Sequence, residues 1–183
     1  MDGEDKLPDL LQRGMTVVFV GTAAGEESAR RGAYYAKPGN RFWRTLAEVG
    51  ITPRLFAPEE FRNVAKLGMG FTDVVKSAAG ADHSADVALA LKGAPVEFAS
   101  KMRAYRPAGV AFTSKRAASV FLEKPTSLIA YGRLCPPVAD FPEIFVLPST
   151  SGAASSHWTI EPWQELAAWY KQRRLTGQSL RQD

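Results

Sequence analysis

The chain has 183 residues, 45% of them apolar, and its 23 basic against 19 acidic side chains leave a net charge of +4. That is enough apolar material for one sizeable core and too little for two, so a single domain over residues 1–183 is expected. The lone Cys135 excludes an internal disulfide and a cysteine-built zinc or iron–sulfur site, and no apolar window reaches the length of a membrane span.

Residues 1–6 are polar and acidic, with no basic run ahead of an apolar one, which fits a cytoplasmic protein. Residues 15–20 are a short β-branched run closed by Gly21, the pattern of a strand buried on both faces in a parallel sheet. A loop over 21–25 follows, then a short helical piece over 26–31. After the Pro38-Gly39 turn a helix starts near Asn40, which can cap it; Phe42, Leu46 and Val49 form its buried face and Gly50 its stop. Residues 58–66, with acidic side chains in the first turn and Gly68 beyond the end, predict another helix. Residues 70–75 read as a short strand or extended segment, and 77–86, which carries His83, as an exposed loop.

Residues 94–105 predict a helix, 108–113 a buried strand, and 114–122 a helix capped by Ser114. Prolines 125, 136, 137 and 142 interrupt the stretch 123–142, for which no element is predicted. Residues 143–147 form a further strand ended by Pro148. The polar run 149–157 links it to a terminal helix over about 161–174, where Trp163, Leu166, Ala167 and Tyr170 recur at helical spacing as core. Strands alternating with helices give an α/β sandwich with a mainly parallel sheet.

In such a sheet ligands bind beyond the carboxyl ends of the strands, which singles out 21–25, the stretch around Thr72 and Asp73, and 149–156. Residues 34–43 add a wall of aromatic faces, with Lys37 and Arg41 to meet phosphate and the Asn40 carboxamide to donate and accept at once. That combination suits a nucleobase. The net charge suits a polyanionic partner but is shared by many ordinary enzymes. Basic residues crowd this wall (Arg30, Arg31, Lys37, Arg41, Arg44) and the C-terminus (Lys171, Arg173, Arg174, Arg181), where a solvated helix end at the negative pole of the dipole explains them. A serine hydrolase built from Ser149 or Ser151 with His157 and Asp73 lacks a Gly-x-Ser-x-Gly elbow, and the 21–25 loop lacks the glycine spacing of a dinucleotide site.

Gly21-Thr22-Ala23-Ala24-Gly25, the string Tyr35-Ala36-Lys37-Pro38-Gly39-Asn40-Arg41-Phe42-Trp43, Gly70-Phe71-Thr72-Asp73-Val74-Val75 and the run from Leu147 to Ser155 stand in the order and spacing of the uracil-DNA glycosylase superfamily. The chain most resembles its mismatch-specific uracil/thymine branch, and its Tyr34-Tyr35-Ala36 and Leu147-Pro148-Ser149-Thr150-Ser151 strings are also similar to the hypoxanthine-DNA glycosylase branch. The resemblance implies a three-layer α/β/α sandwich around a mainly parallel, four-stranded sheet. It also implies a monomer that binds single- or double-stranded DNA and, with no metal or cofactor, hydrolyses the N-glycosidic bond of a flipped-out deaminated base, leaving an abasic site.

By the same resemblance Gly21, Thr22, Ala23 and Ser149 surround the base, Tyr35 stacks on it, and Asp73 reads its edge. Lys37, Arg41, Ser151, Gly152, Ala153, Ser155 and His157 fall where relatives hold DNA. Local readings stand beside these: a core tyrosine for Tyr35, a turn or cap for Asp73, a helix cap for Asn40. This chain departs from the pattern twice. Relatives place a Leu or Arg wedge where it has Ala153 and Ala154, which implies weak duplex extrusion and a preference for single strands or already destabilised pairs. Most relatives place Asp or Asn at Ala23 to position the attacking water, so either Asn40 takes that role, as in the hypoxanthine branch, or the protein is an inert DNA-binding paralogue.

Overall fold

The β-branched run that begins at Val17 forms the first strand of a central sheet, buried on both faces because helices cover both. The computed structural model describes residues 5–80, 87, 91, 93–152 and 158–179. Among these, strands β1 (Val17–Ala24), β2 (Met69–Ala79), β3 (Gly109–Phe112), β4 (Gly132–Arg133) and β5 (Glu143–Val146) make one sheet in the order β2-β1-β3-β5-β4. Four strands run parallel, and β4 adds an antiparallel edge against β5. The sheet therefore has five strands rather than four, the extra one drawn from the proline-interrupted stretch for which the sequence predicts nothing.

Alternation along the strands divides the interior in two. Val17, Phe19, Phe71, Ala111 and Phe145 face one core with helix α2 (Phe42–Glu48) and the terminal helix α5 (Glu161–Ser179). Val18, Val20, Val110, Phe112 and Val146 face the other with α3 (Ala94–Tyr105) and α4 (Lys115–Leu122). The result is the expected three-layer α/β/α sandwich. Trp163 and Leu166 are fully buried in the first core, as their helical spacing predicts.

Helix α1 (Glu26–Arg31) ends on Gly32 in the left-handed conformation, and Ser114 caps α4 by accepting the Ala117 N–H at 3.1 Å. Several elements differ from expectation. The 21–25 loop is absent, because β1 continues to Ala24 by pairing Gly21 with Asp73 and Ala23 with Val75 of β2. Strand β2 likewise runs to Ala79, into the stretch expected to be a loop; residues 81–86, including His83, lie outside the described residues. The helix expected over 58–66 is a 3-10 helix (Pro58–Leu67), whose buried Phe61 and Val64 are spaced three apart, as three residues per turn requires.

The outer edge of β2 is covered. Leu10 bridges Phe71 in antiparallel fashion, with N–H···O bonds of 2.9 Å both ways, and the Lys6 N–H reaches the Lys76 carbonyl at 3.1 Å. Covering this edge removes a template for strand addition. At the other end of the chain, Lys171 Nζ donates to the Val49 carbonyl at 3.1 Å and Arg173 pairs with Glu143. These two cations dock the terminal helix onto the body and are not merely its solvated end.

Candidate active site

The parallel strands β2, β1, β3 and β5 all point their carboxyl ends to one side, and the chain goes from β1 to β2 on one flank and then crosses back past β1 to β3 on the other. That makes the gap between β1 and β3 the topological switch point, where open α/β sheets take ligands. Strand β3 pairs with β1 only as far as Val20, so Gly21, Thr22, Ala23 and Ala24 outrun it beside β2. Thr22 is buried, while Gly21 and Ala23 are half-buried.

Tyr35 spans this gap. Its hydroxyl lies 3.1 Å from Thr113 Oγ1, and that hydroxyl donates in turn to the Val20 carbonyl at 3.2 Å, where β3 leaves β1. One face of its ring stacks on Phe42 at 3.8 Å between centroids. Part of the residue stays exposed while its hydroxyl end is enclosed. Burial, then the negative charge of Asp73, push its phenol far above the ordinary range, so it stays neutral. Its backbone has φ of 54°, a left-handed conformation that bulky residues adopt only when the surroundings hold them. Tyr34, by contrast, is fully buried and stacks on Phe71.

Asp73 sits opposite Gly21 in the β1–β2 ladder and is nearly fully buried. A Cβ on Gly21 would lie 2.4 Å from Asp73 Oδ1, so the glycine is what makes room for this carboxylate. Lys76 Nζ stands 4.0 Å from Asp73 Oδ2.

Segment 34–43 is tied down at several points. Trp43 Nε1 donates to the Tyr34 carbonyl at 3.0 Å, the Ala36 N–H to Ser28 Oγ at 3.2 Å, and Arg31 to the Ala36 carbonyl at 2.9 Å. Asn40 is half-buried, and its Oδ1 accepts the Phe42 N–H at 2.9 Å. Helix α2 therefore starts at Phe42, two residues past Asn40, with Arg41 at the cap position and the Asn40 side chain still serving the first turn. Lys37 is exposed.

Arg41 joins this segment to the loop after β5. Its N–H donates to the Thr150 carbonyl at 3.0 Å, its guanidinium lies 4.2 Å over the Trp158 ring, and its Nε and Nη2 are buried with no hydrogen-bond partner among the described residues. In that loop Ser149 Oγ accepts the Ser151 N–H at 3.3 Å, and Trp163 Nε1 anchors the Pro148 carbonyl at 3.2 Å. Gly152 is exposed. Ala153, Ser155 and His157, together with Ala154, lie outside the described residues.

The structure thus groups Gly21 with Asp73, Tyr35 with the end of β3, and Arg41 with the Ser149–Thr150 turn, all at the carboxyl edge of the sheet. Thr113, Thr150 and Lys76 complete the arrangement and were not among the residues singled out from sequence. Thr113 ends a predicted strand and so satisfied the strand-end rule; a lone lysine at position 76 carries no motif that would mark it. Two grooves, of about 480 Å³ beside Val96 and Phe121 and about 400 Å³ beside Arg106 and Phe141, lie on the α3–α4 side and include none of these groups. Among the described residues no cluster of His, Cys, Asp or Glu could hold a metal ion.

A sequence model of the Uracil DNA glycosylase superfamily matches residues 8–172. The chain belongs to that superfamily. The fold is shared with the solution structure of a "putative Uracil DNA glycosylase" from Methanosarcina acetivorans, at a TM-score of 0.59 and 19% sequence identity, covering 92% of this chain and 98% of that one. In this superfamily member Tyr35 and Thr113 meet at the switch point between β1 and β3. Helices of the described residues include none long and apolar enough to cross a membrane.

Proposed function

We propose that this protein is a monofunctional DNA glycosylase that hydrolyses the N-glycosidic bond of a flipped-out deaminated base, uracil first and hypoxanthine, xanthine or adducted bases next. It acts as a cytoplasmic monomer and needs no cofactor. The observation that carries the reading is the Tyr35–Thr113–Val20 hydrogen-bond relay, which presents an aromatic ring at the switch point beside the Asp73 carboxylate. With one face of Tyr35 on Phe42, the opposite face is the one a base would stack on. Asp73, an acceptor when ionised, would take a ring N–H of uracil or of a hypoxanthine-like purine.

Glycosidic cleavage passes through an oxocarbenium-like state, so the enzyme must hold the base, stabilise its departing charge and place a water on the sugar. Ala23 offers a methyl group for that last task. The Asn40 amide oxygen has two lone pairs; Phe42 N–H takes one, and the other can orient a water. A carboxamide is a poor base, so the role is positioning rather than proton abstraction. Arg41 brings guanidinium donors that have no hydrogen-bond partner among the described residues next to the Ser149–Ser151 turn, which supports a contact with backbone phosphate.

The second reading, a DNA-binding paralogue without chemistry, is favoured by the same Ala23 and by the engagement of Asn40 Oδ1 in helix capping. One assay separates the two: uracil- and hypoxanthine-containing single- and double-stranded oligonucleotides are incubated with the protein, then treated with alkali. Breaks at the modified base, lost in Asn40→Ala, support the glycosylase; binding with no breaks in any substrate supports the paralogue.

A further inference from the structure

Behind Asp73 runs a chain of charges that the superfamily assignment does not account for. Lys76, on the same strand, is only 13% exposed in its side chain, and its ammonium is committed on several sides. It pairs with Asp9 Oδ1 at 2.8 Å, donates to the Leu7 carbonyl, lies 3.3 Å from the Tyr34 hydroxyl, and stands 4.0 Å from Asp73 Oδ2. Asp9 is itself held by Lys101 of α3 at 2.6 Å and by the Thr72 hydroxyl at 2.7 Å. The N-terminal segment that covers the edge of β2 thus also fixes a lysine against the base-facing carboxylate.

We infer that Lys76 is a positioning residue that acts through Asp73: anchored by Asp9, it keeps the Asp73 carboxylate ionised and aimed at the N–H donors of the bound base. This rests on the glycosylase reading. The physical reason is that a nearly buried carboxylate loses hydration and takes up a proton unless a cation stands close. An ammonium at 4 Å in a poorly solvated setting supplies that cation. A lysine free to sample solvent would not do so steadily, which is why the Asp9 and Leu7 contacts matter.

Other groups facing the pair are Tyr34 and Tyr35, both kept neutral by burial and then by Asp73, together with Asp9, Lys101 and, toward Tyr34, Asp5. Lys76 is the cation that stands 4.0 Å from Asp73 Oδ2. A protonated Asp73 would present an O–H to the base edge where an acceptor is needed, so loss of Lys76 weakens base reading at low pH first.

The test follows the Asp73 side-chain carboxyl carbon by NMR through a pH titration of the full chain, beside the pH profile of kcat/KM on a single-stranded uracil oligonucleotide. Wild type, Lys76→Met and Lys76→Arg are compared, with Lys76→Gln, which can still donate to Leu7, used where Lys76→Met does not fold. The expected result is that the Asp73 inflection and the acidic limb of the profile both move up by about one pH unit in Lys76→Met or Lys76→Gln. Lys76→Arg returns both toward wild type. An Asp73 inflection unchanged in the neutral variants overturns the inference, as does an inflection that moves while the profile stays put. Absence of excision by the wild type overturns the glycosylase reading instead, and the NMR titration still decides whether Lys76 governs Asp73.

Discussion

Gly21 and Asp73 face each other across the β1–β2 ladder so closely that a methyl group on Gly21 would lie 2.4 Å from Asp73 Oδ1. The obstacle is a side-chain carboxylate rather than backbone, so Gly21→Ala is expected to fold and to swing Asp73 out of place. Overpacking of this kind costs about 1–3 kcal/mol. Base excision should fall by more than that loss of stability accounts for, which thermal unfolding and kcat/KM on a uracil oligonucleotide, measured together, will show. A variant with full activity would mean that Asp73 does not read the base.

Thr113 holds Tyr35 by its hydroxyl, and the valine isostere removes that bond while keeping the volume. Thr113→Val leaves an enclosed phenol without its partner, at a cost of about 1–3 kcal/mol. Tyr35→Phe in the same background should recover most of it, because both partners are then apolar. In a double-mutant cycle on unfolding free energy the two changes should be non-additive; additive losses would contradict the relay.

Asn40 has a structural task and a proposed catalytic one, and they separate by substitution. Asn40→Ala removes the acceptor for the Phe42 N–H, costing about 0.5–2 kcal/mol, and should abolish excision. Asn40→Asp keeps a capping oxygen, so its unfolding temperature should stay near wild type. Excision that survives Asn40→Ala would move the water-positioning role to another residue.

Asp9 makes stability depend on acid pH. Burial raises its pKa, but the Lys76 charge and hydrogen bonds from Lys101, Lys76 and Thr72 outweigh it, leaving the carboxyl below its ordinary value of 3.8. A carboxyl whose folded pKa is depressed stabilises fully above its unfolded value and loses that contribution as pH falls through the folded one. Denaturant unfolding from pH 6 down to 2 should therefore show stability declining below about pH 4. Asp9→Asn should lower stability at pH 6 and flatten that decline; an unchanged slope would remove Asp9 from the account.

Much of the fold was legible because its cues are local. Short continuous apolar runs placed 15–20, 108–113 and 143–147 in a buried sheet, and Ser114 and Gly68 marked helix ends where the structure has them. The terminal helix was legible from Trp163, Leu166, Ala167 and Tyr170, though it runs on to Ser179. Strand β4 was not, since two residues among prolines carry no period and pair only because β5 offers an edge. The Gly21–Ala24 extension was missed for a similar reason: glycine and alanines read as a loop, yet pairing with β2 holds them extended.

For the site, the sequence by itself determined which chemical groups are available and, through the order of its motifs, the superfamily to which they belong. It also determined that Tyr35, Asn40 and Arg41 enter together on one short segment before a helix. Only the tertiary structure decided what each of them touches. Tyr35 meets Thr113 across 78 positions of chain, and Asp9 meets Lys101 across 92. Such pairs leave no periodic trace, because they are fixed by how strands pair and helices pack rather than by neighbours in the chain. The environment of Asp73, with Gly21 giving it room and Lys76 giving it charge, is of that second kind.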